Sequence, residues 1–129
     1  MPTADAKLTF PKTCRLKSSQ QIKDTVHQRD SVFCFPIKCF YSIHKSPTGA
    51  PCRVAFLVSK KRFRHAVDRN RVKRLLRESY RVHCQELSVP EKLSVNLCWM
   101  FVGVELPTYQ QIESAAQQIF ADLQDKLNE

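Results

Sequence analysis

The sequence contains only two glycines in 129 residues, which leaves no room for a Gly-rich loop that cradles phosphates. It has no apolar run near the ~20 residues that a transmembrane helix requires. The N-terminal stretch MPTADAKLTFPK also lacks the apolar segment of a secretory signal. These absences argue against a P-loop protein, a membrane protein and a secreted protein, and we expect a cytoplasmic protein.

The six cysteines show no spacing typical of metal sites, since there is no C-x-x-C pair and no paired Cys/His arrangement. Cys34, Cys39 and Cys98 lie in apolar, strand-like runs, where cysteine acts as a small hydrophobic residue. An even number of cysteines indicates disulfides mainly in exported proteins. We therefore expect neither a metal ion bound by the protein alone nor a structural disulfide.

Residue patterns for hydrolytic catalysis are missing as well. The acidic residues are scattered, without a D-x-D or E-x-x-H arrangement that would hold a metal ion. The four histidines lie in different predicted elements, so no acid/base pair is indicated. We predict that the protein has no catalytic residue of its own.

What the sequence does have is positive charge concentrated in one segment. From Lys60 to Arg81 there are ten basic and two acidic residues, a net charge of +8. The rest of the chain contributes +1 to the total of +9. A nearly neutral body with one cationic segment is the electrostatic footprint of a polyanion-binding protein.

Hydrophobic periodicity predicts a single domain over residues 1–129, with residues 1–12 as a flexible arm. Its elements are a helix over about 19–28, a strand from Ile37, the strand RVAFLVS, a helix from about 65 to 86, a strand in SVNLCWMFVGV and a C-terminal helix capped by Thr108. Pro36 marks an edge or a break, so residues 31–44 form one strand or two. This order predicts an α/β (α+β) two-layer sandwich.

The basic helix has one apolar and one cationic face. The apolar stripe comprises Val72, Leu75, Leu76, Ser79 and Tyr80. The opposite face comprises Asn70, Lys73, Arg74, Arg77 and Arg81, flanked by Arg69 and Arg71. Like charges on one face repel, which disfavours a merely solvated surface. The apolar stripe is needed for the core and cannot enter a membrane, so nucleic acid is the favoured partner.

The run VSKKRFRHAVDRNRVKRLLRESYR resembles the signature of the bacterial ribonuclease P protein family, a strand ending in V-x-K-K followed by A-V and RNRxKRxxRE. RLKSSQQIKDTV is similar to the family's first helix, so the resemblance covers about residues 15–127. It implies a mixed sheet of about four strands with three helices and a left-handed βαβ crossover, an exception to the usual handedness. The sequence departs from the family at RFRH, where many members have a glycine-containing turn.

The resemblance implies the protein subunit of ribonuclease P, which binds a catalytic RNA and promotes removal of the 5′ leader from precursor tRNA. In the family the RNA carries out catalysis and holds the Mg²⁺ ions. The positions that the resemblance implies to bind RNA are Lys60, Lys61, Arg62, Arg69, Asn70, Arg71, Lys73, Arg74 and Arg77. The charge pattern adds Arg64 and Arg81 to the predicted RNA contacts.

The family binds the single-stranded leader in a separate cleft between the first helix and the sheet. Two first-helix positions that are often Phe in the family are aliphatic here, so strand aromatics become candidates for stacking on bases. Phe40 shares a strand face with Lys38, whereas we expect Phe33 and Phe35 in the core. The predicted leader contacts are Ile22, Val26, Lys38 and Phe40.

Two other functions fit the same basic helix. A ribosomal or RNA-chaperone protein would bind RNA without taking part in cleavage. A DNA-binding regulator would place the helix in a major groove, but a strand enters this helix where a helix-turn-helix protein has a partner helix.

Overall fold

A computed structural model of the chain describes residues 19–27, 30–45, 52–90 and 93–128. The helices are α1 (Ser19–His27), α2 (Ala66–His83) and α3 (Tyr109–Leu127), and a 3₁₀ turn (Cys84–Glu86) follows α2. The strands are β1 (Ser31–Cys34), β2 (Ile37–His44), β3 (Cys52–Val58) and β4 (Ser94–Phe101). The predicted α+β fold with three helices and four strands is confirmed, while the predicted arm of residues 1–12 lies outside the described residues.

The aromatic stretch over residues 31–44 forms two strands, which resolves the alternative that the sequence left open. β1 and β2 pair antiparallel, with Ser31 opposite Phe40 and Cys34 opposite Ile37. The turn between them contains the cis peptide bond Phe35–Pro36. Because Pro36 has no N–H to donate to a strand ladder, the break falls at this residue.

The sheet has the strand order β1-β2-β4-β3 and is mixed. β2 is antiparallel to β1 and β4, whereas β3 and β4 are parallel. Since α2 lies between β3 and β4 in the chain, these three elements form the predicted βαβ crossover unit. The handedness of the crossover stays a prediction.

One face of the sheet packs against α2 and α3 and forms the core. The indole ring of Trp99 on β4 lies 5.4–5.9 Å, centroid to centroid, from the rings of Phe56, Tyr80 and Phe120. The predicted stripe of α2 is buried apart from the half-buried Leu75. The capping box of Thr108 and Gln111 begins α3 as predicted. The core face of α3 comprises Ile112, Ala115, Ala116, Ile119, Phe120, Leu123 and Leu127.

Two buried cysteines pack on the sheet, Cys39 on the core face and Cys98 on the face that carries α1. Cys39 is fully buried, and burial raises the pKa of its thiol well above the usual value. Burial also raises the pKa of Cys98 to about 11. Both thiols therefore stay protonated at neutral pH and pack as small hydrophobic groups.

The opposite face of the sheet is covered in part by α1. The Sγ atom of Cys98 lies 3.8 Å from the carbonyl oxygen of Ile22, and the buried Thr25 places its Oγ1 3.5 Å from the Oγ of Ser42. These contacts seat α1 over β2 and β4. Nearer the β1–β2 turn, Lys38 and Met100 on the same face remain half-exposed.

The expectation that Phe33 and Phe35 belong to the core is wrong, because their side chains are 56% and 66% exposed. Phe33 lies opposite Lys38 and therefore on the sheet face that carries α1, not on the core face. Phe35 lies in the turn beside Pro36. Neither position follows from composition, because the register of β1 against β2 decides which face a residue occupies.

Candidate nucleic-acid interface

The outward side of α2 and the loop that precedes it (residues 59–65) present the predicted cations together. We call this region the basic surface. Its exposed members are Lys60, Lys61, Arg62, Arg64, Asn70, Arg71, Arg74 and Arg77, and the half-buried Arg69 and Lys73 complete it. Seven of the exposed residues are cations, which gives this side of the molecule a strong positive potential.

The loop before α2 contains no glycine and is held by hydrogen bonds to Ser59. The carbonyl oxygen of Ser59 accepts hydrogen bonds from the backbone N–H groups of Arg62 and Phe63, both at 3.2 Å. The Oγ of Ser59 accepts a third from the N–H of Lys61 at 3.1 Å. The Phe63 side chain is buried, with its ring centroid 5.8 Å from that of Phe101. The loop is thus anchored by one apolar side chain while its cations point outward.

Arg69 reaches back from α2 to this loop. Its Nη1 donates hydrogen bonds to the carbonyl oxygens of Phe63 at 2.8 Å and of Arg64 at 3.1 Å. The sequence predicts Arg69 only as an RNA contact, and contact with RNA stays a prediction. The intramolecular bonds were not foreseen, because a bond from a side chain to a carbonyl leaves no mark in the sequence pattern.

Arg81 differs from the other predicted contacts on α2. Its guanidinium group pairs with the carboxylate of Glu78, and its side chain is 17% exposed. The hydrogen bond to Glu78 raises the pKa of Arg81. Part of the positive charge of Arg81 is therefore balanced within the protein, so we expect it to contribute less to RNA binding than Arg74 or Arg77.

The predicted leader contacts lie on the sheet face that carries α1. The Nζ of Lys38 lies over the ring of Phe40, 5.0 Å from its centroid, and Phe33 is directly opposite Lys38 on β1. We call these three residues, together with Met100, the open sheet face. Ile22 and Val26 are half-buried on α1, beside the Thr25 that contacts β2. The structure thus places Lys38, Phe40 and Phe33 on the sheet face that α1 partly covers, and contact with a leader stays a prediction.

A groove of about 950 Å³ lies elsewhere, between the β1–β2 turn and the start of α3. Phe35, Val104 and Leu106 line it and are exposed. The one charged residue among its lining residues is Glu105. A groove whose described lining carries no cation lacks the positive charge that phosphate binding requires, so we leave it out of the candidate interface.

A cluster of ionisable residues joins α2, the 3₁₀ turn and α3. The Nε2 of His83 lies 2.8 Å from a carboxylate oxygen of Glu113, and its Nδ1 contacts the carboxylate of Glu86. Desolvation lowers the pKa of His83, but the hydrogen bonds to both carboxylates outweigh it and raise the pKa. The imidazolium form satisfies both contacts at once, because each ring nitrogen then carries a proton. Through its bonds to Glu86 and Glu113, His83 therefore links the end of α2 to the 3₁₀ turn and to α3.

The described part of the chain shows no group of three or more His, Cys, Asp or Glu residues that could hold a metal ion. Within that same part, no helix combines the length and the hydropathy needed to cross a bilayer.

Comparison with known sequences identifies the family. A model of the family described as Ribonuclease P matches residues 10–124. The ribonuclease P protein components of two Porphyromonas gingivalis strains are 30% and 32% identical to this chain. The first alignment covers 90% of this chain and 87% of the relative, and the second covers 86% and 88%. The protein component of Acinetobacter baylyi is 36% identical over 62% of this chain and 61% of its own length.

Solved structures show the same fold. The ribonuclease P protein of Staphylococcus aureus superposes with a TM-score of 0.69 at 22% identity, covering 85% of this chain and 94% of that one. The protein from Thermotoga maritima gives a TM-score of 0.66 at 15% identity, over 84% and 96%. These likenesses and the basic surface define a small α+β protein with one strongly cationic side. The family match over most of the sequence shows that the chain belongs to the ribonuclease P protein components, subunits of an endoribonuclease.

Proposed function

We propose that this chain binds the catalytic RNA of ribonuclease P through its basic surface and the 5′ leader of precursor tRNA through its open sheet face. In this way it promotes endonucleolytic removal of the leader in the cytoplasm. The observation that supports the proposal is that a cationic surface and a partly exposed aromatic surface lie on opposite sides of one sheet, in a chain of this family.

The chemistry of the basic surface suits a folded RNA. Each arginine offers a planar fork that pairs with phosphate oxygens through two hydrogen bonds, and arginines dominate the exposed side of α2. Asn70 lies among them as an uncharged donor and acceptor suited to a sugar or a base edge. Neutralising phosphates releases counterions, so this contact is expected to weaken steeply as salt rises.

The chemistry of the open sheet face suits an unpaired strand. Proteins that bind single strands combine aromatic rings, on which bases stack, with cations that follow the backbone. On the open sheet face a lysine lies between two aromatic rings, since Lys38 is opposite Phe33 on β1 and its amine lies over the ring of Phe40 on β2. Stacking is available from every base, so this arrangement tolerates leaders of different sequence.

The chemical step itself belongs to the RNA subunit in this proposal, which also assigns the Mg²⁺ ions to the RNA. The protein contributes positive charge between two polyanions that otherwise repel each other. Its effect is therefore expected to be largest when Mg²⁺ and salt are too low to screen that repulsion.

A reconstitution experiment tests the proposal. The purified protein is added to a bacterial ribonuclease P RNA and a precursor tRNA at limiting Mg²⁺, and single-turnover cleavage is measured. We expect faster cleavage of a substrate with a full 5′ leader, and a smaller gain for a matched substrate whose leader is one nucleotide long. Binding to the RNA without any gain in cleavage would reject the proposal in favour of a ribosomal or RNA-chaperone type of protein.

A further inference from the structure

Arg69 is placed where a cation is unfavourable unless it has a partner. It is the fourth residue of α2, close to the helix end at which the backbone dipole carries positive charge. Its side chain is half-buried and turned toward the preceding loop, where one nitrogen bonds the carbonyl oxygens of both Phe63 and Arg64. By contrast, Arg71 and Arg74 on the same helix are exposed.

The loop that Arg69 contacts carries four exposed cations in five positions, Lys60, Lys61, Arg62 and Arg64. Like charges so close together repel one another and favour an extended, mobile loop. The burial of Phe63 and the hydrogen bonds to Ser59 hold the loop from its inner side. The two bonds from Arg69 close it from the helix side, at the last residues before α2.

We propose that Arg69 is a positioning residue, which fixes the loop of residues 59–65 so that its cations are arranged for the catalytic RNA before binding. This inference rests on the proposed function and assigns Arg69 a role that a phosphate contact alone does not include. A loop that is ordered in the free protein does not lose its conformational entropy on binding, so the same cations bind more tightly.

The first test needs no RNA. Amide hydrogen exchange is measured for Lys61, Arg62 and Phe63, whose N–H groups bond Ser59, in the native protein and in Arg69→Ala. We expect exchange at these amides to become about tenfold faster, because local opening becomes easier, while amides of β4 are unchanged. The matched control Arg74→Ala removes an exposed cation from the same helix and should leave loop exchange unchanged. Loop exchange that does not respond to Arg69→Ala overturns the proposal.

The second test is a double-mutant cycle of affinity for the catalytic RNA. In the native background, Arg69→Ala should weaken binding about tenfold. It should also lower the slope of log K against log salt by more than about one, which is the change expected when a single phosphate contact is lost. In a background with Lys60→Ala, Lys61→Ala and Arg62→Ala, the same change should cost less than about twofold, since the groups that it positions are gone. Arg74→Ala should cost the same in both backgrounds. An equal cost of Arg69→Ala in both backgrounds overturns the proposal.

Arg69→Lys separates geometry from charge. Its amine is one bond nearer the backbone than the arginine Nη1, so it keeps the charge but falls short of the position from which Nη1 bonds both carbonyls. We expect Arg69→Lys to match Arg69→Ala in loop exchange and in RNA affinity, and native behaviour in both would contradict the positioning role. If the native protein fails to stimulate cleavage, the proposed function fails, whereas the exchange measurement still reports on Arg69 and the loop.

Discussion

The basic surface and the open sheet face differ in how they are built. The basic surface comes from one continuous segment, Lys60 to Arg81, and its main property is charge. The open sheet face is assembled from β1, β2 and β4, with α1 beside it, and its main property is the arrangement of two aromatic rings around a lysine. Charge acts over about a Debye length of 8–10 Å and tolerates small displacements, whereas stacking requires direct contact. The two surfaces should therefore respond differently to salt and to mutation.

The largest effect is expected on the basic surface. The triple variant Arg71→Ala, Arg74→Ala and Arg77→Ala should weaken binding of the catalytic RNA by about 100-fold and lower the slope of log K against log salt by about three. The reason is that three exposed cations no longer displace counterions from the RNA. The measurement is equilibrium binding at a series of salt concentrations.

The control for this variant is Lys126→Ala, which removes an exposed cation near the end of α3. It should change affinity less than about twofold, because it lies outside the basic surface. A triple variant with an unchanged salt slope would show that the RNA contacts a different part of the protein.

A smaller effect is expected on the open sheet face. Phe33→Ala and Phe40→Ala should each weaken binding of leader-bearing precursor tRNA by about tenfold, because base stacking on an aromatic ring contributes about 1–3 kcal/mol. Binding of mature tRNA should change little, and the salt slope should stay constant. The measurement is the affinity of the reconstituted complex for both RNAs.

Phe35→Ala is the matched control, since Phe35 is equally aromatic and even more exposed but lines the groove by α3. It should leave both affinities unchanged. Thermal unfolding of Phe40→Ala should be recorded beside binding, because Phe40 is half-buried. Equal losses with precursor and mature tRNA would contradict leader binding at this face.

The smallest effect concerns neither surface. Burial lowers the pKa of His83, but its bonds to Glu113 and Glu86 outweigh this effect and raise the pKa from its usual value of 6.5. These bonds therefore stabilise the folded state fully below pH about 6.5. The stabilisation is lost as the pH rises through the higher pKa of the folded protein. The cluster has three ionisable neighbours, Glu78, Arg81 and Tyr109. Burial is the main reason that the pKa of Tyr109 is raised, and the negative charge of Glu113 is the next. Between pH 6 and pH 9, the native protein should therefore lose more stability than His83→Gln.

Urea unfolding at both pH values measures this difference, and RNA affinity serves as the control. At one fixed pH, His83→Gln should bind the catalytic RNA as tightly as the native protein, because His83 lies outside the basic surface. The same pH dependence in both proteins would show that the two carboxylates do not stabilise the folded state through His83.

Local signals predicted the elements that carry their own pattern. The stripe of α2 repeats at helical spacing and the capping box of α3 marks a helix start, so the presence of both helices follows from nearby residues alone. The exposed cations of α2 followed for the same reason, since a residue opposite an apolar stripe faces solvent. The predicted end of α2 near residue 86 falls in the 3₁₀ turn, because α2 ends at His83. Phe33 was misplaced because its face depends on pairing with β2, and Arg69 was incompletely assigned because its carbonyl partners belong to a loop.

By itself, the sequence determined the class of fold, the family and the position of the charge, because hydrophobic periodicity and net charge are properties of consecutive residues. Tertiary structure alone decided which aromatics face solvent, since strand register assigns every residue of β1 to one face or the other. It also decided which cations are held within the protein, because the hydrogen bonds of Arg69 to loop carbonyls and the ion pair of Arg81 with Glu78 depend on the directions of side chains in space.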